Sequence, residues 1–199
     1  SSGFEGLMRD MLMELTGLRF SLAKSGHQSG SDVRSEPSNF FKVGLEAKRY
    51  QKGSSLPVDQ LKAKIIEAAR SHPPVDVWVL AASRTISISD QEVLHEFGNE
   101  EGVKTVVFDW DDQGANPPVL AVALAGATET TKAHLGSDSS LTDALSEIKS
   151  ATGFDGMLSS LRSDISAADA GYVSATQSAM HWLKEAQSSK SRALSNLRG

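Results

Sequence analysis

Residues Asn39–Lys48 read NFFKVGLEAK, and this stretch decides the fold class. Apolar side chains recur at every second position along it, which is the period of a β-strand. One face of this strand takes four apolar residues: Phe41, Val43, Leu45 and Ala47. Glu46 and Lys48 lie on the opposite face, so the strand carries an acid and an amine side by side.

The segments around this strand predict an α/β fold with the element order α-β-β-β-α-β-α-β. Two apolar, β-branched runs at 75–82 and 103–108 are typical of strands that are buried on both faces of a sheet. The other predicted elements are a helix over Phe4–Thr16, a strand over Leu18–Leu22, a strand that opens at Asp32, a helix with Pro57 in its first turn, and a helix that begins with the capping box Ser89–Glu92 and ends at Phe97 before Gly98. Helices on both sides of a mixed sheet are the packing that this order favours.

The composition changes near residue 128. Residues 129–199 hold 15 Ser and ten Ala, and they contain no strand-like run. Helical spacing of apolar residues occurs near Leu141–Lys149, Phe154–Ile165 and Ala167–Leu197. We therefore predict a domain over 1–128 and a C-terminal helical segment over 129–199. This segment would serve as a linker, pack on the sheet domain or mediate oligomerisation.

Cysteine is absent from all 199 residues, which excludes disulfides, thiolate nucleophiles and cysteine-rich metal sites. This absence fits a reducing compartment, and we expect a cytoplasmic protein. The most apolar stretch, Pro117–Ala127, is far shorter than the roughly 20 residues needed to span a bilayer, so no membrane segment is expected. The chain begins Ser1-Ser2-Gly3 without Met, and we expect a piece of a longer protein.

Charge is unevenly distributed along the chain. The formal net charge is −5, yet residues 19–70 hold ten Lys or Arg against five Asp or Glu, a local charge of +5. Residues 71–128 hold two against nine, a local charge of −7. Since the local sign of charge decides whether a phosphate backbone is attracted, the basic part predicts contact with a nucleic acid. Apart from Tyr50 and the Phe40–Phe41 pair, aromatic residues are not interleaved with these basic residues, which favours duplex DNA over a stacked single strand.

Asp32 and Glu46 are predicted to lie on neighbouring strands, where two carboxylates could share a hard divalent cation. The carbonyl oxygen of Ala47 would be a third ligand. Lys48 falls on the same face as Glu46, and its ammonium group could hold an attacking water or stabilise charge on a phosphate. If its pKa were depressed, Lys48 could instead lose a proton and act as a base.

Gly30-Ser31-Asp32 followed by Leu45-Glu46-Ala47-Lys48 resembles the PD-(D/E)xK nuclease superfamily, in particular its Mrr-like restriction endonuclease branch. The similarity covers roughly residues 4 to 110. It implies a restriction-endonuclease-like fold, a four-stranded mixed sheet flanked by helices. It also implies a metal-dependent endonuclease that hydrolyses phosphodiester bonds of double-stranded DNA with Mg²⁺, or with Mn²⁺ in its place.

The resemblance also assigns roles to individual residues. It makes Asp32, Glu46 and the Ala47 carbonyl the metal ligands and Lys48 the residue that orients water. Glu5 in the first helix would be an outer acid, and Gln60, with Lys64, would line the site from the following helix. The family's proline before the first acid is Ser31 in this chain.

Such nuclease domains resemble the N-terminal effectors of larger bacterial proteins, including anti-phage proteins with STAND-type NTPases. By this analogy we expect a fused or associated sensor or NTPase module, and a homo-oligomer formed through the C-terminal helices. Two alternatives stay open on the residues alone: a catalytically silent nucleic-acid-binding or assembly module on the same fold, and an RNA-directed nuclease. Ordinary accounts of single residues also stay open, a surface ion pair for Glu46 and Lys48 and a first-turn acid favoured by the helix dipole for Glu5.

Overall fold

The computed structural model describes residues 3–23, 30–36, 41–50, 55–111 and 116–166. It confirms the predicted α/β class, with a mixed sheet, flanking helices and a C-terminal helical segment. The elements, in chain order, are α1 (Gly3–Thr16), β1 (Phe20–Leu22), β2 (Val33–Ser35), β3 (Val43–Lys48), α2 (Val58–Ala69), β4 (Val77–Ala82), α3 (Ile88–Glu100), β5 (Lys104–Phe108), α4 (Val119–Gly126), α5 (Thr128–Leu135), α6 (Ser139–Ser150) and α7 (Phe154–Ser166).

The five strands form one sheet in the order β1-β2-β3-β4-β5. β1, β2 and β3 are antiparallel neighbours, whereas β3, β4 and β5 run parallel. The sheet therefore has one strand more than the four that the nuclease resemblance implies. β4 is buried along its whole length, as expected for a strand covered on both faces.

The helices form two layers around this sheet. α2 and α3 pack on one face, where Leu61, Ile65 and Leu94 form a cluster with Trp78 and Leu80 of β4. α1 packs on the other face together with α4, and its Met8, Met11 and Leu12 side chains are completely buried. β3 lies between β2 and β4 and is buried from Val43 to Ala47, whereas Lys48 at its end is partly exposed.

The start and the end of α3 differ from the sequence prediction. Its N-cap is Ser87, whose side chain accepts a hydrogen bond from Asp90 N at 3.1 Å, so the cap lies two residues before the predicted Ser89. The helix also continues past Gly98 to Glu100. Gly98 is buried against β5, where an added Cβ would lie 2.7 Å from Val103 O and closer still to Thr105 Oγ1. Close packing, and not helix termination, explains this glycine.

Residues 116–166 form four helices. α6 and α7 agree with the predicted helical patterns, while α4 and α5 had not been predicted. α5, α6 and α7 all contact α1 or α4, and these helices belong to the compact unit Ser1–Ser166 that includes the sheet. The division into 1–128 and 129–199 remains a prediction, and the predicted helix Ala167–Leu197 lies outside the described residues. Within the described ranges, no helix has the length and apolar character needed to cross a membrane.

Candidate active site at the end of β3

The register of the sheet places Glu46 and Lys48 on its α2 and α3 face. Glu46 pairs with Leu80, and Lys48 pairs with Ala82, across the parallel β3–β4 ladder. Leu80 and Ala82 belong to the cluster that packs under α2 and α3. Since paired residues in a ladder point to the same face, the acid and the amine lie on this face, at the carboxyl end of β3. The predicted phase of the strand is correct.

Asp32 immediately precedes β2, and the antiparallel register of β2 and β3 brings it to the same end of the sheet. Val33 pairs with Leu45, so one further step along the register sets Asp32 opposite Glu46. Two hydrogen bonds fix this position: Asp32 N donates to Leu45 O at 2.8 Å, and Asp32 Oδ2 accepts from Ala47 N at 3.0 Å. The N–H and C=O groups of one strand residue point to the same side, so the Ala47 carbonyl lies on the strand edge that faces Asp32.

Glycine at two positions allows the Asp32 loop to approach the sheet and α2. Gly30 has φ +79, and an added Cβ there would lie 2.6 Å from Ala68 N of α2. Ser31 is fully buried over Gly44, where any larger residue would collide with it. The turn Gly30-Ser31-Asp32 is therefore clamped between α2 and β3, and the carboxylate of Asp32 is held in place by local packing.

Glu46 and Lys48 form an ion pair in which Lys48 Nζ lies 2.6 Å from Glu46 Oε1. The Glu46 side chain is only 1% exposed, whereas the Lys48 side chain is 38% exposed. Glu46 Oε2 has no hydrogen-bond partner among the described residues. A buried carboxylate oxygen without a partner is costly, and this one lies beside a lysine side chain that reaches the solvent.

Burial raises the pKa of Glu46 above its ordinary value. The hydrogen bond from Lys48 opposes this shift, the nearby charge of Asp32 adds to it, and the positive charges of Lys48 and Lys64 act against it. The pKa rises overall because the loss of hydration on burial outweighs the stabilisation of the carboxylate by nearby positive charges. A further positive charge close to Glu46 would therefore favour its ionised form.

The pKa of Lys48 is raised, not depressed. Burial alone would lower it, but the hydrogen bond and the charge of Glu46, followed by the charges of Asp32 and Glu5, outweigh the effect of burial. The condition for Lys48 to act as a proton-accepting base, a depressed pKa, is therefore not met in this arrangement. Lys48 is a protonated cation beside two acids, which suits it to orient water or to stabilise negative charge.

Glu5 and Lys64 act on this cluster through their charges, and Gln60 belongs to α2, the helix that carries Lys64. Glu5 is in the first turn of α1, close enough to raise the pKa of Lys48. Lys64 of α2 lowers the pKa of Glu46 through its charge and pairs with Glu67 at 2.9 Å. Gln60 is exposed, one helical turn before Lys64. The predicted role of Gln60 at the site stays a prediction, and it is supported by the four-residue spacing that places Gln60 and Lys64 on the same side of α2.

Tyr50 is a neighbour of this site that the sequence analysis did not identify. Burial raises its pKa first, and the charge of Glu46 raises it further. The Tyr50 hydroxyl oxygen is buried and has no hydrogen-bond partner among the described residues. The signal in the sequence is its position two residues after Lys48, which continues the Glu46–Lys48 face by one step.

Other charged residues fall outside this cluster. Arg34 donates to Ser71 Oγ, and Lys62 lies 5.2 Å from the centroid of the Phe97 ring, so both have intramolecular roles. Lys24 and Lys52 of the basic part lie outside the described residues. Asp109, which opens the acidic run after β5, accepts a hydrogen bond from Ile86 N at 3.1 Å.

Among the described residues, no three or more His, Asp or Glu side chains are arranged to hold a metal ion. A cation here would be coordinated by two carboxylates, the Ala47 carbonyl and water. Such an oxygen-rich donor set is the kind that Mg²⁺ and Mn²⁺ accept, and the unpartnered Glu46 oxygen fits it. A cavity of about 480 Å³ beside β5 includes none of these residues.

Comparison with known protein families finds no matching family, and comparison with curated proteins finds no matching protein.

Proposed function

We propose that this chain is a metal-dependent nuclease domain of the PD-(D/E)xK type that hydrolyses phosphodiester bonds of DNA. The observation that carries the proposal is the convergence of Asp32, Glu46 and Lys48 at the end of β3, where a buried carboxylate has one oxygen that finds no partner in the described part of the chain. Such an arrangement destabilises a fold that has no ligand bound, and perturbed acids of this kind are typical of functional sites.

Asp32, Glu46 and the Ala47 carbonyl would hold a divalent cation, Mg²⁺ or Mn²⁺. When bound, such an ion supplies Lewis acidity toward phosphoryl oxygens and lowers the pKa of a coordinated water. Lys48, protonated and 38% exposed, would orient a water toward the scissile phosphorus and stabilise negative charge on the phosphate oxygens. Glu5 holds a negative charge near Lys48 and favours its protonated form.

The experiment is cleavage of supercoiled plasmid DNA. We expect nicked and linear products with Mg²⁺ or Mn²⁺, and none with EDTA. Glu46→Gln should abolish cleavage, whereas Glu92→Gln, at an exposed acid of α3, should leave it unchanged. Undiminished cutting by Glu46→Gln would refute the assignment, and cleavage of RNA in preference to DNA would redirect it to an RNA-directed nuclease.

A second candidate is a catalytically silent nucleic-acid-binding or assembly module. The observation that favours it is the direct Glu46–Lys48 contact, which suits a structural ion pair, since the described residues contain no group of three acids or histidines that could hold a metal ion. Affinity for Mn²⁺ separates the two candidates, because a silent module has no need to bind the ion.

A cytoplasmic location, fusion or association with a sensor or NTPase module, membership of a bacterial defence system and assembly into a homo-oligomer remain parts of this proposal that rest on the family resemblance. Light scattering of the full chain tests the last of these. A monomer at high concentration would exclude oligomerisation by this chain alone.

A further inference from the structure

A cavity of about 510 Å³ lies between α1, α4 and α5 at the carboxyl end of the parallel strands. Its wall is mostly apolar, which suits a flat, uncharged ligand group. The apolar residues that line it are Phe4, Leu7, Trp110, Leu120, Leu124 and Leu135. Among these, Trp110 and Leu135 keep 40% and 55% of their surface exposed, so the cavity opens to solvent at these two side chains.

The lining of this cavity includes chain neighbours of the site residues but not Asp32, Glu46 or Lys48 themselves. Arg49, which lines the cavity, follows Lys48 directly. Ser83, another lining residue, donates its N–H to Lys48 O at 3.1 Å. Phe4 precedes Glu5 in the first turn of α1. A ligand in the cavity would therefore lie next to the end of β3 that carries the acids.

Trp110 is the part of the wall best suited to stacking. Its backbone is held on both sides: Trp110 N donates to Arg84 O at 3.0 Å, and Thr85 Oγ1 donates to Trp110 O at 3.0 Å. An exposed indole on a fixed backbone loses little entropy when a second ring stacks on it. Planar bases stack on aromatic side chains without regard to sequence, because every base has a π-face.

Polar groups lie beside this apolar wall. Arg49 is exposed and follows Lys48, the last residue of β3. The two side chains therefore point to opposite faces of the sheet. His134 Nε2 lies 2.8 Å from Asp10 Oδ2, which fixes the orientation of its ring at the wall. An apolar slot with an arginine at its entrance complements a planar ring that carries a phosphate.

We propose that this cavity binds a nucleobase of the substrate that is unstacked and unpaired, next to the scissile phosphate, with its own phosphate toward Arg49. The inference rests on the proposed nuclease function and narrows its substrate class to nucleic acid with at least one unpaired base at the cut site. The sequence pattern favours plain duplex because, apart from Tyr50 and the Phe40–Phe41 pair, aromatic residues are not interleaved with the basic ones. The fold brings Phe4 and Trp110 to Arg49.

The test uses deoxyadenosine 5′-monophosphate as the probe, the full chain and no metal. Trp182→Phe removes one of the three tryptophans, and Trp78 is fully buried, so the change in emission reports Trp110. We expect saturable quenching by the nucleotide and none by deoxyribose 5-phosphate, which lacks the base. Absence of saturable quenching by the nucleotide would overturn the inference, and this measurement needs no variant of the cavity.

Calorimetric titration of the same nucleotide locates the contacts. Trp110→Ala should weaken binding about tenfold, the order expected for one lost base–aromatic stack, while Ile88→Ala, at an exposed apolar residue outside the cavity, should not. Arg49→Gln should weaken binding of the nucleotide but not of deoxyadenosine. Unchanged affinity in Trp110→Ala with a native circular dichroism spectrum would contradict the proposal.

The two proposals fail separately. A chain that cleaves duplex DNA with Mg²⁺ but does not bind the nucleotide retains the nuclease function and loses the base pocket. A chain that binds the nucleotide through Trp110 but never cleaves loses the nuclease function and retains a base-binding pocket. Cleavage of a duplex with one unpaired base at least tenfold faster than that of the fully paired duplex is the result expected when both proposals hold.

Discussion

Lys48 Nζ lies 2.6 Å from Glu46 Oε1, on a strand face where the acid is buried and the amine reaches solvent. The pair combines two properties that a hydrolytic site needs, a carboxylate oxygen with no partner among the residues that the structure describes and a cation whose pKa is raised. The contribution of Lys48 to stability therefore depends on Glu46, because a buried carboxylate without its counter-charge is destabilising.

Lys48→Gln should abolish DNA cleavage and lower the free energy of unfolding by about 1–3 kcal/mol, because the buried Glu46 carboxylate loses its counter-charge. Chemical denaturation measures the loss. Adding Glu46→Gln to this variant should restore most of the stability without restoring cleavage. Lys149→Gln, at an exposed lysine of α6, is the control and should change neither property. A Lys48→Gln enzyme that cuts at the wild-type rate would exclude a catalytic part for the amine.

Tyr50→Phe should leave the free energy of unfolding unchanged or raise it by up to about 1 kcal/mol, because it removes a buried hydroxyl that has no partner among the described residues. Cleavage should nevertheless fall several-fold, since the hydroxyl group lies within the electrostatic reach of Glu46. Denaturation and plasmid cleavage are measured on the same preparation. Wild-type cleavage by this variant would place Tyr50 outside the site.

The phase of β3 and the meeting of Asp32 with Glu46 could be predicted from the sequence because both depend on local patterns. Alternation along β3 fixes which side chains share a face, and the turn before Asp32 indicates a neighbouring strand. The raised pKa of Lys48 could not be predicted from such patterns. It depends on the balance between burial, which lowers the pKa, and the charges of Glu46, Asp32 and Glu5, which raise it.

Long-range packing accounts for the other differences. Gly98 has the appearance of a helix terminator in the sequence, but its role is set by Thr105 on a neighbouring strand. Ser87 and Ser89 both suit a helix cap, and only the path of the chain after β4 selects Ser87. Trp110 and Arg49 are far apart in the chain, so their shared cavity has no signal in the sequence.

Gly98→Ala should lower the free energy of unfolding by about 1–3 kcal/mol, because the new methyl group would collide with Val103 O and Thr105 Oγ1. Gly156→Ala is the matched control. It places a methyl group on an exposed turn of α7 with no atom within 4 Å, and should stabilise by up to about 1 kcal/mol. Thermal and chemical unfolding compare the two. Equal effects of the two substitutions would contradict the packing of α3 on β5.

Asp76→Asn should gain stability relative to the wild type as the pH rises. Burial raises the pKa of Asp76 above its ordinary value, against the opposing effect of its hydrogen bond from Lys42 N at 2.7 Å. The folded state therefore binds a proton more tightly than the unfolded state, and the wild type loses stability as the pH rises from the unfolded pKa through the folded one. Denaturation of both proteins between pH 3.5 and about 7 measures the difference. If the free energy of unfolding of Asp76→Asn, minus that of the wild type, fell as the pH rose, the direction of this shift would be contradicted.

Calorimetric titration with Mn²⁺ tests the central claim, that Asp32 and Glu46 together form a cation site at the end of β3. The account predicts saturable binding by the wild type, its loss in Asp32→Asn, and its retention in Asp59→Asn, which changes an exposed acid in the first turn of α2. Equal Mn²⁺ affinity in the wild type and in Asp32→Asn, or no binding by a folded wild type, would contradict it.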